Sequence, residues 1–274
     1  MAKLEPTSSG YYLWNYVPSI AAAVIFILIF LVLTALIVWR MLKTKTWFCI
    51  AFTIGGFFEF VGYCARVSSA KKTSKIMPFA IQNGLILLGP ALFAASIYMC
   101  LSRIIRSVSA EHLSLIRPRI LTKTFVIGDI LSLVVQGGAA GLMVTGRHAK
   151  LAEGIVITGL MIQIIMFGLF MVTAFVFKKR ISTRPTIETI GADPGWESSL
   201  RMLFIVSILI MVRSIFRVVE YASGHDGYLL QNEWPMYVFD SILMVGVMGI
   251  YYQWYPTSIV VEKGKGNVVP INSY

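Results

Sequence analysis

The sequence is poor in acidic residues, in cysteine and in charge of either sign, and each shortage excludes a class of protein. Its 274 residues include 13 Asp and Glu against 24 Lys and Arg; charged residues make up 14% of the chain and hydrophobic residues 57%. With that composition, little of the chain is left for a soluble domain once apolar membrane spans are subtracted. The three cysteines, an odd number, all fall within apolar runs, so we expect no disulfide framework.

The residues that common enzymatic mechanisms need are also scarce. The three histidines, His112, His148 and His225, fall in separate loops, which argues against the metal cluster that an intramembrane lipid hydrolase requires. No Gly-x-x-x-x-Gly-Lys-Ser/Thr run is present, so energy from a phosphate-loop ATPase is excluded. We therefore predict a protein that is not an enzyme and holds no metal or cofactor. Any transport by it would run down the gradient of the substrate or be driven by an ion gradient.

What the chain does contain is seven runs of mostly apolar residues, each about 20 residues long and sufficient to cross a hydrocarbon layer ~30 Å thick. The runs cover residues 20–39, 47–67, 77–101, 124–145, 151–177, 203–221 and 236–255. We predict an all-α polytopic membrane protein with seven transmembrane helices. Its parts are an extracellular N-terminus (1–19), a transmembrane domain (20–255) and a cytoplasmic tail (256–274).

The basic residues indicate how the bundle is oriented. Fifteen Lys and Arg lie on the side that the first run reaches at its end, and seven lie on the other side. Since basic residues accumulate in cytoplasmic loops, the N-terminus is predicted outside and the C-terminus in the cytoplasm. The same distribution explains the net charge of +11 without nucleic acid as a partner. The bilayer itself is the partner that these loops predict.

Five ionisable residues lie inside the apolar runs, and they are where we look for function. They are Glu59, Asp129, Arg213, Arg217 and Asp240. An ionisable side chain at that depth is costly unless it has a partner or a water-filled pathway.

Helical spacing assembles most of these residues into one predicted polar cluster in the outer half of the bundle. Residues at i, i+4 and i+7 share a helix face. The cluster comprises two such stripes and one residue of the seventh helix: Glu59, Tyr63, Arg66, Arg213, Arg217, Glu220 and Asp240. Matching depths, from ~1.5 Å of rise per residue, predict that Glu59 pairs with Arg213 and Arg217 with Asp240. Two readings stay open and are compatible: a structural ion-pair network, or a substrate-binding cavity open to the outside.

Asp129 stands apart in the cytoplasmic half of the fourth helix, with Gln136 seven residues on along the same face. No basic residue of similar depth is available to pair with it. Its role is either gating, as a proton-linked group, or structural, as a neutral acid hydrogen-bonded to another helix. In the third helix, Gly89 and Pro90 predict a kink, since proline removes a backbone donor.

Short runs around these residues resemble a known family. They are EFVGYCAR at 59–66, GPALFAASIY at 89–98, FVIGD at 125–129, QGG at 136–138, RSIFRVVEY at 213–221 and YVFD at 237–240, the last preceded by Glu233. The chain is similar to the fungal lipid-translocating exporters. These seven-helix proteins are associated with resistance to 7-aminocholesterol, release of sphingoid long-chain bases and protoporphyrin uptake. The resemblance implies a plasma-membrane protein that moves an amphipathic lipid or protects against a toxic one.

Seven helices with an outside N-terminus also fit a receptor. The third helix ends Leu101-Ser-Arg103 without an acidic residue, and the seventh lacks an Asn-Pro-x-x-Tyr run, so the likeness to the large receptor class is one of helix number. A retinal protein is excluded, because residues 236–255 contain no lysine for a Schiff base. The alternative function is a seven-helix lipid sensor or receptor-like regulator, signalling to a cytoplasmic partner through loops such as 178–202.

Overall fold

The computed structural model describes residues 18–71, 75–145, 149–183, 195–223 and 227–256. Within them lie seven helices long and apolar enough to span a membrane, which confirms the predicted fold class. They are α1 (Ile20–Thr44), α2 (Ile50–Lys71), α3 (Ile76–Ser107), α4 (Pro118–Thr145), α5 (Ala149–Thr183), α6 (Gly195–Ala222) and α7 (Trp234–Gln253). His148, His225, most of the predicted N-terminal segment and tail, and the middle of the 178–202 loop lie outside the described residues.

The helices alternate in direction, so the bundle has two faces. We call the face at which α1 begins the N-terminal face and the face at which it ends the C-terminal face. At the C-terminal face three helices extend well past the predicted apolar runs. Helix α3 ends at Ser107, α5 ends at Thr183, and α6 begins at Gly195. Hydropathy detects only the apolar part of a helix, whereas its backbone hydrogen bonds continue into turns made of polar residues. The assignment of this face to the cytoplasm stays a prediction.

Helix α3 lies at the centre of the bundle and is the most buried of the seven. It packs against α2, α4 and α6, whereas α1 packs against α2 and α7 and is the least buried. Small residues allow the close contact between α2 and α3: a Cβ on Gly55 would lie 2.8 Å from the carbonyl oxygen of Gly89. The central position of α3 places both sides of that helix within reach of polar side chains from its neighbours.

Two irregularities interrupt the regular helices. Pro90 lies inside α3, which continues through it, and residues Tyr237–Ile242 of α7 form a π-helical segment. A proline leaves one carbonyl of the preceding turn without its donor. A π-helical segment widens the helix and is frequently found at functional sites. Both irregularities lie where the ionisable residues meet.

Candidate functional site

Asp240 of α7 joins the two arginines of α6. The Nε atom of Arg213 donates to Oδ1 of Asp240, and Nη2 of Arg217 donates to Oδ2. The side chains of Arg213 and Asp240 are 2% and 1% exposed, so this is a buried ionic group. The predicted contact between Arg217 and Asp240 is present. The predicted pair of Glu59 with Arg213 is wrong, because the carboxylate that Arg213 contacts belongs to Asp240.

Local structure explains why a single aspartate takes both arginines. Arg213 and Arg217 are one helical turn apart and therefore point from the same face of α6. Asp240 lies within the π-helical segment, where it and the next residue, Ser241, are both buried. Two guanidinium groups can share one carboxylate when each takes a different oxygen, and that is the arrangement here.

Arg213 also satisfies the carbonyl that Pro90 leaves without a donor. In a helix the carbonyl of Ile86 would accept from the N–H of residue 90, but proline has no N–H. Nη2 of Arg213 donates to the Ile86 carbonyl oxygen at 2.9 Å instead. One buried guanidinium therefore connects α3, α6 and α7.

Glu59 of α2 approaches the same stretch of α3 from the other side. Its carboxylate lies against Gly89, where a Cβ would come within 2.6 Å of Oε1. The residue is 1% exposed, and Oε1 accepts no hydrogen bond from the part of the chain that the structure describes. Glu59 interacts electrostatically with Asp240 and with both arginines of α6, although it forms an ion pair with neither arginine.

The rest of the α2 stripe binds α7 closer to the N-terminal face. The hydroxyl of Tyr63 shares a hydrogen bond with Ser241. Arg66 donates from Nη2 to Oε1 of Glu233 at 2.6 Å and from Nε to the hydroxyl of Tyr237 at 3.2 Å. Glu233 and Tyr237 were absent from the predicted cluster. Their spacing of four residues on one helix face was the signal available in the sequence.

Glu220 completes the group by accepting from Nη1 of Arg217 at 2.9 Å. The described cluster thus holds three arginines and four carboxylates, namely Arg66, Arg213, Arg217, Glu59, Glu220, Glu233 and Asp240. Glu220, Glu233 and Asp240 are each ion-paired with an arginine. Among the described residues Glu59 is the carboxylate of the cluster that forms no direct ion pair, and an ionised group buried without such a pair is costly.

Asp129 and Gln136 lie in a different place, where α4 meets α3 and α5. The Tyr98 hydroxyl donates to Oδ2 of Asp129 at 2.9 Å, while Oδ1 accepts no hydrogen bond from the described residues. Nε2 of Gln136 donates to Oγ of Ser132 at 2.7 Å, and that hydroxyl donates to the carbonyl of Gly159 at 2.6 Å. The bond from Tyr98 is the contact with another helix that the structural reading of Asp129 required. The gating reading stays a prediction.

Metal ligands are not grouped in this region. Across the five described ranges, no three His, Cys, Asp or Glu side chains are placed to hold a metal ion. What the cluster offers chemically is charge: three arginines that are ion-paired, and the buried Glu59 carboxylate, which forms no ion pair within the described residues.

Residues 52–263 match the family described as RTA1 like protein, and the cluster lies within that range. Protoporphyrin uptake protein 1 of Saccharomyces cerevisiae is 32% identical over 89% of this chain and 92% of its own. Protein RTA1 of the same yeast is 36% identical, over 76% of this chain and 65% of its own. Sphingoid long-chain base transporter RSB1, also from that yeast, is 25% identical over 89% and 73%. No solved structure matches.

Proposed function

The chain belongs to the RTA1-like family of fungal membrane proteins, and from that premise we propose that it moves amphipathic lipids or toxic lipid-like compounds across the membrane without hydrolysing ATP. Sphingoid bases and sterol analogues are the substrate classes we favour. Export of such compounds would give the cell resistance to them. Relatives are named for transport and for uptake, which supports a transport function rather than an enzymatic one.

The observation that carries the proposal is the buried Glu59 carboxylate, whose Oε1 accepts no hydrogen bond from the described part of the chain, while the neighbouring carboxylates are ion-paired. A sphingoid base carries an ammonium group, which has three donors and a positive charge. Binding that ammonium at Glu59 would give the carboxylate a direct ion-pair partner, which it does not have among the described residues. The hydrocarbon chain of the substrate would lie along the apolar helix faces. The relative named as a sphingoid long-chain base transporter supports this class of substrate.

The ion pairs around Glu59 would then act as the frame of the site. Arg213 and Arg217 are held by Asp240, so they neutralise that aspartate and leave Glu59 as the recognition group. Asp129 would act separately, as the gating or proton-linked residue, with Gln136 about two turns along the same helix. An ion gradient, or the gradient of the substrate itself, would drive movement. We assign the protein to the plasma membrane with its N-terminal face outside.

A lipid sensor is the second candidate, and one feature favours it. Helices α3, α5 and α6 project beyond their apolar runs at the C-terminal face, and a cytoplasmic partner would bind to these projecting ends. In that case lipid binding at the cluster would change the contacts of this surface, and no lipid would cross the membrane.

The experiment is flip of a labelled sphingoid base by the purified protein in liposomes. We expect acceleration by the wild type and loss of acceleration in Glu59→Gln and in Asp129→Asn. Glu197→Gln is the matched control, because Glu197 is an exposed carboxylate outside the predicted apolar runs, and it should keep full activity. Absence of acceleration by the wild type, together with lipid-dependent recruitment of a cytoplasmic protein, would select the sensor.

A further inference from the structure

The segment that joins α3 to α4 at the C-terminal face carries two arginines at the start of a transmembrane helix. We propose that Arg117 and Arg119 bind the phosphate of an anionic membrane phospholipid. The site is on the opposite face of the bundle from the ionic cluster, and the proposal is independent of the transport function.

A surface cavity of about 490 Å³ forms at this point. It is lined by Glu111, His112, Arg117, Pro118, Arg119 and Ile120. Both arginine side chains are exposed. A lipid headgroup is smaller than this volume, so the cavity has room for a phosphate and its substituent.

The guanidinium groups of both arginines are available to a ligand. Within the described ranges, Arg117 and Arg119 form no ion pair, whereas the nearby Glu111 lies 4.0 Å from Arg106. A guanidinium group presents paired N–H donors that match phosphate oxygens. Two of them beside the first turn of α4 also add to the favourable field of the helix N-terminus for an anion.

The segment is held in place before any ligand binds. Leu113 is buried, and its carbonyl accepts from Nη1 of Arg180 at 3.1 Å, which attaches the segment to α5. Oγ of Ser102 donates to the carbonyl of Pro118 at 2.8 Å, which attaches it to α3. A preformed site loses less conformational entropy when a ligand binds.

The outer surface of α4 indicates a lipid rather than a soluble phosphate. Ile120, Ile127, Leu131 and Val134 are each more than half exposed and share one helix face, which begins at the arginines and runs into the membrane. An acyl chain would lie along this stripe while its phosphate contacts the guanidinium groups. The predicted cytoplasmic location places the site in the leaflet that is rich in anionic lipids.

The test measures lipid retention by the purified full-length protein in native mass spectrometry, with phosphatidic acid, phosphatidylcholine and inorganic phosphate as separate probes. We expect the wild type to retain phosphatidic acid and to prefer it over phosphatidylcholine. Arg117→Gln/Arg119→Gln should bind phosphatidic acid about tenfold or more weakly, since each charge-assisted contact is worth about that factor. Lys43→Gln/Lys179→Gln removes the same charge from exposed positions of the same face and should bind as the wild type does.

Three results would overturn the proposal: equal retention of the two lipids, full retention by the arginine double variant, or displacement of the lipid by inorganic phosphate at equal concentration. The last result would identify a site for soluble phosphate. If the glutamine variant fails to fold, Arg117→Lys/Arg119→Lys replaces it. That variant keeps the charge but loses the paired donors, so weaker retention than in the wild type is expected.

Discussion

Arg213 donates a hydrogen bond to the carbonyl oxygen of Ile86, on the helix turn that Pro90 leaves without a backbone donor. The proline lies on α3 and the arginine on α6. The proline leaves a carbonyl oxygen without a donor, and the arginine donates to that oxygen. A buried carbonyl without a donor costs free energy, and a buried guanidinium needs more acceptors than one carboxylate provides. The contact joins the centre of the bundle to the ionic cluster.

This relationship predicts a non-additive effect on stability. Arg213→Leu removes the donor to Ile86, and Pro90→Ala supplies a new one by restoring the N–H of residue 90. In thermal or denaturant unfolding, Pro90→Ala should stabilise the Arg213→Leu protein by about 1 kcal/mol more than it stabilises the wild type. Pro78→Ala, in the first turn of the same helix, is the control and should show no such coupling. Equal gains from Pro90→Ala in both backgrounds would contradict the account.

The carboxylates of the cluster should differ in their structural importance. Asp240→Asn leaves the buried Arg213 and the partly buried Arg217 without their shared carboxylate and should lower the free energy of unfolding by about 3–5 kcal/mol. Glu220→Gln affects Arg217 alone, which keeps Asp240, and should cost less. Unfolding followed by intrinsic fluorescence checks the order. A larger loss in Glu220→Gln would show that Asp240 is not the centre of the network.

A glycine next to Glu59 offers a way to disturb the carboxylate without removing it. A Cβ on Gly89 would lie 2.6 Å from Oε1, so Gly89→Ala should displace the Glu59 side chain and reduce lipid flip. Gly84→Ala is the matched control, because it lies on the same helix and a Cβ there would meet nothing within 4 Å. That control should keep full flip activity and gain up to about 1 kcal/mol of stability, as alanine favours a helix over glycine. Similar activity in the two variants would argue against a role for the position of Glu59.

Asp129 can be tested as a proton-linked residue. If it carries a proton during transport, flip by the wild type should respond to a pH gradient across the liposome, and flip by Asp129→Asn should not. Glu153→Gln changes a partly buried carboxylate on the neighbouring helix α5 and should leave the response to the pH gradient intact. Should Asp129→Asn retain the full response, the aspartate would be the structural, hydrogen-bonded group that its contact with Tyr98 also allows.

The sequence predicted the seven helices and the polar stripe of α2. It was less successful in predicting which ionisable side chains contact one another. Apolar length identified all seven helices, and helical spacing placed Glu59, Tyr63 and Arg66 on one stripe that does face α3 and α7. Depth alone predicted the pair of Glu59 with Arg213. Two residues at equal depth still need neighbouring helices, and the order of helices around the bundle comes from packing that the sequence does not display.

Two further features of the structure could not be predicted from the sequence, for different reasons. The π-helical segment that directs Asp240 and Ser241 inward leaves no mark in hydropathy, since it depends on the fit of α7 against α2 and α6. The contact between Arg213 and Ile86 left a clue in Pro90, because a proline inside a helix always orphans one carbonyl. Pro90 does not indicate which residue donates to that carbonyl. The donor is Arg213 because α6 packs next to α3.

Recognition of a cationic headgroup by Glu59 is tested most directly by changing the charge of the substrate. Flip of a labelled sphingoid base is compared with flip of its N-acetylated analogue, which has the same chain and no charge on nitrogen. Wild-type protein should move the amine much faster than the neutral analogue, and Glu59→Gln should move the two at similar rates. A preference for the amine that survives Glu59→Gln unchanged would contradict the account.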